Sequence, residues 1–71
     1  MLLAVTIMAN NNRSPITETQ FDSVAMKTQP GQLKQRNREY GIEFSIWINH
    51  TLVMSSDVDK EGVRQYWCYL S

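Results

Sequence analysis

TQPGQLKQRNREYG, residues Thr28–Gly41, is the stretch on whose reading the fold turns. Taken as a helix, it has a beginning, a body and an end. Thr28 or Gln29 supplies the cap, and Pro30 sits in the first turn, where its missing amide proton costs nothing. Gly41 stands where a left-handed residue closes a helix. Leu33 and Tyr40 are seven residues apart and share a face. At about 100° per residue the opposite face carries Gly31, Gln35 and Arg38, flanked by Gln32 and Lys34, with Arg36 toward the packed side. Four of the seven basic residues, Lys27, Lys34, Arg36 and Arg38, lie at or just before this stretch, with one acid, Glu39, among them. The expectation is a helix buried along one stripe and basic on the other.

Upstream, Thr17 opens an earlier helix. Its hydroxyl is placed to accept from the third helical amide while Gln20 reaches back, the reciprocal pattern of a capping box. Phe21, Val24 and Ala25 fall on one face, and the helix should end near Met26, leaving Lys27 and Thr28 as the connection. Before it, NNNRSP (Asn10–Pro15) has loop composition. Leu2–Met8 is aliphatic and β-branched. It is either a short strand added to a sheet edge or a frayed or partner-bound arm (residues 1–14), and Met8 is an alternative initiator to Met1.

Downstream the period changes from helical to alternating. Ile42, Phe44 and Ile46 alternate with Glu43, Ser45 and Trp47, the pattern of a strand. Asn49-His50 is a turn, and Thr51–Met54 is the returning strand. Ser55–Gly62 (SSDVDKEG) reads as a polar acidic loop or the start of a helix. VRQYWCYL, residues 63–70, fits an aromatic strand or an apolar helical stripe, with the strand preferred after Gly62. The order implies an α+β fold: a small winged helix-turn-helix, two short helices followed by a β-hairpin wing and a C-terminal aromatic strand, in one domain over residues 1–71.

Composition sets limits on the chemistry. A chain of 71 residues buries only about 60% of its unfolded surface, so its core is small. Formal net charge is zero, but the bases gather in the middle while four of the seven acids, Glu43, Asp57, Asp59 and Glu61, follow residue 42. One cysteine, Cys68, excludes an internal disulfide and leaves too little sulfur for a zinc site. MLLAVTIMA is apolar but lacks the basic region of a signal peptide and is too short to span a bilayer, so a cytoplasmic protein is expected. No Ser-His-Asp set, phosphate-binding glycine loop or paired cysteines points to an enzyme, and no cofactor or metal is expected. Asp57, Asp59 and Glu61 lack the spacing of a calcium loop.

On the helical reading, Gly31, Gln32, Gln35 and Arg38 stand near base edges in the major groove of double-stranded DNA. There glutamine pairs with adenine and arginine with guanine. Gln29 belongs to the same helix. Lys27, Lys34 and Arg36 would meet phosphates, with Arg36 alternatively facing an internal carboxylate. Asn49, His50 and Thr51 at the hairpin tip add polar contacts. The alternative is a protein-interaction module working through Trp47, Trp67 and Tyr69, which are otherwise core or self-association surface.

The run from Ile16 to Met54 resembles the excisionase and Cox-type winged-helix regulators of temperate bacteriophages. ITETQF, QPGQLKQRNREYG and GIEF carry the resemblance, with RQYWCYL similar to the strand that closes the wing. It implies a recognition helix over Gln29–Tyr40 and a wing over Glu43–Met54. It also implies repression of a lysogeny promoter, a directionality role for integrase-mediated excision in the bacterial host, and self-association along DNA.

Overall fold

The computed structural model describes residues 12–69. One short helix and five strands come in the order β1 (Ser14–Pro15), α1 (Glu18–Ala25), β2 (Leu33–Arg38), β3 (Gly41–Ile48), β4 (Thr51–Val58) and β5 (Arg64–Cys68). The strands form one open antiparallel sheet ordered β1-β5-β4-β3-β2. The sequence therefore does not make a winged helix-turn-helix. The second helix is absent, and the residues assigned to it form a turn and the edge strand β2.

The first helix is as its caps foretell. Thr17 is extended at φ −86°, its hydroxyl accepts from the Gln20 amide at 3.1 Å, and the Gln20 carboxamide oxygen accepts from the Thr17 amide at 2.8 Å. Glu18 lies in the first turn, where a negative charge favours the helix dipole. Met26 closes the helix. Eight residues are too few for a helix to hold in water by itself. Phe21 anchors it: only 5% exposed, its ring meets that of Tyr66 on β5 with centroids 5.4 Å apart. Such a tilted aromatic pair contributes about 0.5–1.5 kcal/mol beyond its burial.

Pro30-Gly31 decides the conformation of the next segment. Gly31 has φ +91°, and the Gln32 amide donates to the Gln29 carbonyl at 3.0 Å, so Gln29–Gln32 is a β-turn of the type that wants proline second and glycine third. The Gln32 side chain closes the same turn by accepting from the Gln29 amide at 2.8 Å. The chain then turns into β2, whose six residues pair with β3 from Leu33↔Ile46 to Arg38↔Gly41. Gly41 is thus the first residue of β3, not a helix stop. Its φ is +150°, and a Cβ there would lie 2.9 Å from Cγ2 of Val58. Leu33 and Tyr40, expected to be the buried stripe, are 41% and 50% exposed.

The β3–β4 hairpin turns on Asn49 and His50, both at positive φ (53° and 63°), as a two-residue loop of the first primed type demands. Ile46 pairs with Met54 but Trp47 with Leu52, so Val53 is an extra residue on β4. The stretch from Ser55, expected as loop or helix, continues β4 to Val58 between β3 and β5. Ser55 and Ser56 are buried there, with partners: Ser55 bonds the Tyr69 hydroxyl at 2.9 Å and Ser56 accepts from Arg64 at 2.9 Å. The polar turn shrinks to the residues before Val63. Its acid, Asp59, accepts from the amides of Glu61 and Val63 and from the Gln65 side chain. The Val63 amide is the main reason the Asp59 carboxyl sits below the ordinary carboxylate range. The aromatic segment is the strand preferred for it, β5, paired with β4 on one side and β1 on the other. The arm Leu2–Met8, the choice between Met1 and Met8, and Leu70 lie outside the described residues.

The core is small. Phe21 and Ile46 are the buried apolar side chains among the described residues. No helix among these residues is long and apolar enough to cross a membrane.

Candidate nucleic-acid interface

Strand alternation sorts β2 into two rows. Leu33 and Gln35, opposite Ile46 and Phe44, lie on the face that carries α1; Leu33 and Phe44 line an apolar groove of about 300 Å³ beside Phe21, Ala25 and Tyr66. Lys34, Arg36 and Arg38 form the other row. Their partners Ser45 and Glu43 place them on the face that also holds Trp47, Ser55 and Trp67, where no helix packs among the described residues. Gln35 and Arg38 therefore point to opposite faces and do not form one reading line. No recognition helix exists over Gln29–Tyr40, and the expected wing Glu43–Met54 is the interior of a five-stranded sheet.

The open face is basic at its β2 edge. Glu43 receives Arg36 (Nη2 to Oε1 at 2.9 Å) and lies 3.8 Å from Arg38, so one carboxylate answers two guanidiniums. Both arginine side chains remain more than half exposed, at 66% and 54%. Exposed pairs of this kind are worth about 0–1 kcal/mol each and exchange readily for another anion. The acid Asp57 lies on the same face, on the central strand β4, one residue past the Phe44↔Ser56 pair and so beside Glu43.

Each tryptophan of this face has a cation over it. Lys34 Nζ stands 5.1 Å from the Trp47 ring centroid, and Arg13 Cζ 3.9 Å from that of Trp67. Both lie within the roughly 6 Å over which a ring quadrupole attracts a cation. The Trp47 indole is held by a hydrogen bond from Nε1 to Ser45 Oγ at 3.0 Å, and its backbone amide donates to the Gln32 carbonyl at 2.8 Å. Trp67 Nε1 is buried with no partner among the described residues.

The Pro30-Gly31 turn and the Asn49-His50 turn come to the same end of the sheet. Between them is a cleft of about 520 Å³ lined by Pro30, Gly31, Gln32, Lys34, Trp47, Asn49 and His50. Gly31, Gln32, Lys34, Asn49 and His50, all expected from the sequence as DNA contacts, thus meet, although not along a helix. Lys27 and Gln29 stay exposed in the connection from α1, and Thr51 turns its hydroxyl to the Asn49 carbonyl at 3.4 Å. Trp47 and Arg13 are not among the residues expected to contact DNA, although Trp47 belongs to the surface of the protein-interaction alternative. The sequence does hold a signal for Trp47, since it shares the phase of Glu43 and Ser45 rather than that of Ile46. Arg13 leaves no signal, because its place beside Trp67 depends on β1 pairing with β5.

Among the described residues no group of His, Cys, Asp and Glu could hold a metal ion. What the face offers is a line of cations, a fixed indole and, on Gln32 and Asn49, amide NH2 groups without a partner among the described residues, which suits a ligand carrying both anions and flat rings. Comparison of the chain with family models, curated proteins and solved structures returns no match.

Proposed function

We propose that this protein binds nucleic acid, in single-stranded form, across the open face of its sheet. One observation carries the reading: Lys34, Arg36 and Arg38 stand in a single row beside Trp47, with Lys34 over the indole. A cationic track flanked by aromatic rings is how sheet surfaces hold unpaired strands, phosphates on the bases of the protein and nucleobases on its rings. Paired bases are already stacked on one another and leave such a ring nothing to do. The usual explanation of charge on an edge strand is protection against aggregation. That function would be served by cations pointing either way, and it does not account for the ring and cleft beside them.

The test is a titration of the full chain against labelled single-stranded and duplex oligonucleotides at rising salt. Affinity should fall with a slope of about 2 in logarithmic coordinates if three phosphates are neutralised on a single strand. Replacing Lys34, Arg36 and Arg38 together with alanine should remove both the binding and the slope. Salt-insensitive behaviour would defeat the proposal. It would favour the protein-interaction alternative, which has its own support: Trp47, Trp67 and Tyr69 all belong to the side of the sheet over which no described element packs.

Binding of duplex DNA in arrays, with promoter repression and direction of an integrase, is the wider proposal that the resemblance to phage regulators carries. It now requires the β2–β3 ribbon rather than a helix to enter the major groove, which is wide enough for two strands. The duplex arm of the titration tests it. Self-association along DNA would have to avoid β2 as its seam. A symmetric antiparallel pairing of two β2 strands centred on Arg36 sets Arg36 against Arg36 and Lys34 against Arg38, one centred on Gln35 sets Lys34 against Arg36, and like charges directly opposite destabilise a sheet.

A further inference from the structure

We infer that the cleft between the two turns is a site for one unstacked nucleotide, its base lying on the Trp47 indole and its phosphate on Lys34. The inference rests on the nucleic-acid reading and locates the point at which a base is held. The cleft, at about 520 Å³, falls within the roughly 300–1,000 Å³ typical of small-ligand sites. Its floor is already in place. The Ser45 hydroxyl fixes the edge of the indole and the Gln32 carbonyl fixes its backbone, so a stacking base has only the Lys34 ammonium, 5.1 Å from the ring centroid, to displace.

The rim has the chemistry of a base edge. Gln32 spends its carboxamide oxygen on the Gln29 amide, which leaves its NH2 as a donor without a partner among the described residues. The Asn49 side chain makes no hydrogen bond among them and offers a donor and an acceptor side by side, the pair that matches N6 and N7 of adenine. The positive φ angles of Asn49 and His50 hold the opposing turn in one shape. At Gly31 an added Cβ would find nothing within 4 Å, so the backbone there is open to an approaching ligand.

The track beyond the cleft explains why a strand, rather than a free mononucleotide, is the better occupant. From Lys34 the cations recur at every second residue of β2, about 6.6–6.8 Å apart along the strand. That spacing is comparable to one step of an extended single strand, so Arg36 and Arg38 would meet the next phosphates after giving up Glu43. Trp67 is the internal control, because Arg13 covers its ring more closely, at 3.9 Å against 5.1 Å for Lys34 over Trp47, and its Nε1 is buried.

The experiment uses the full chain, short single-stranded oligonucleotides of each base, and adenosine monophosphate as the free probe. Indole fluorescence and anisotropy are read together. Trp47→Leu should weaken oligonucleotide binding by about tenfold or more, the loss expected for one stacked base, while Trp47→Phe retains most of it. Asn49→Ala should change the ranking of the four bases. Trp67→Phe should leave both affinity and quenching in place. Adenosine monophosphate should bind far more weakly than the oligonucleotide. Equal binding would overturn the assignment to a strand in favour of a free nucleotide. If Trp47→Leu, shown folded by circular dichroism, binds as the native chain does while the triple basic variant does not, the cleft assignment fails and nucleic-acid binding stands. If the native chain binds no oligonucleotide, both fail.

Discussion

On one face of the sheet Phe21, Ile46 and Ser56 are withdrawn from solvent beside α1, whereas on the other Lys34, Arg36 and Arg38 stand in a row with no described element over them. The same strands build both faces, and alternation alone separates them. On the α1 face a polar atom is kept only with a partner, as Ser56 is kept by Arg64. On the open face the cations have partial partners that another anion can replace. Stability should therefore live on the first face and binding on the second.

The comparison breaks most sharply if the core is cut. Phe21→Ala should cost about 3–5 kcal/mol and Ile46→Ala about 2–5 kcal/mol, read from denaturant midpoints. A domain of this size has little more than that to lose. Gly41→Ala comes next. A Cβ 2.9 Å from Val58 at φ +150° should cost about 1–3 kcal/mol, although no apolar surface is removed. Thr17→Ala deletes the cap and should cost about 1 kcal/mol, loosening α1 and exposing Tyr66 to quenchers before the sheet melts. The triple replacement of Lys34, Arg36 and Arg38 should shift stability by no more than about 0.5 kcal/mol per site while abolishing salt-dependent binding. A large loss of stability there would mean the two faces are not independent. The smallest effect concerns acid. Because the folded carboxyl of Asp59 is depressed, its contribution is full above the ordinary carboxylate range and is lost as pH falls through the folded value. Asp59→Asn should flatten the acid limb of a stability–pH curve by lowering stability slightly at neutral pH while leaving the acid end nearly unchanged.

The site is partly legible in the sequence. Gln32, Lys34, Asn49 and His50 read as contacts because they are polar and flank turn signals. Their convergence at one end of the sheet is not visible there, since it requires β2 to lie against β3. A helical period joins Gln35 and Arg38, and a strand period separates them. By residue type Trp47 reads as core, because tryptophans usually are. Its position on the exposed phase is set by the alternation of its own strand.

What the sequence determined by itself is local. The Thr17–Gln20 box starts α1, the Ile42-Phe44-Ile46 alternation makes β3, and Asn49-His50 turns the hairpin. Each depends on bonds or phases within a few residues. Thr28–Gly41 was settled only by tertiary structure. Pro30 serves equally well in a first helical turn and in a β-turn, Leu33 and Tyr40 match a helical repeat, and LKQRNR has neither β-branched residues nor apolar alternation. Its strand state comes from backbone pairing with β3, beginning where the Gln32 carbonyl accepts from Trp47. The continuation of β4 through Ser55 and Ser56 has the same cause, because a central strand draws its hydrogen bonds from neighbours that no local pattern names.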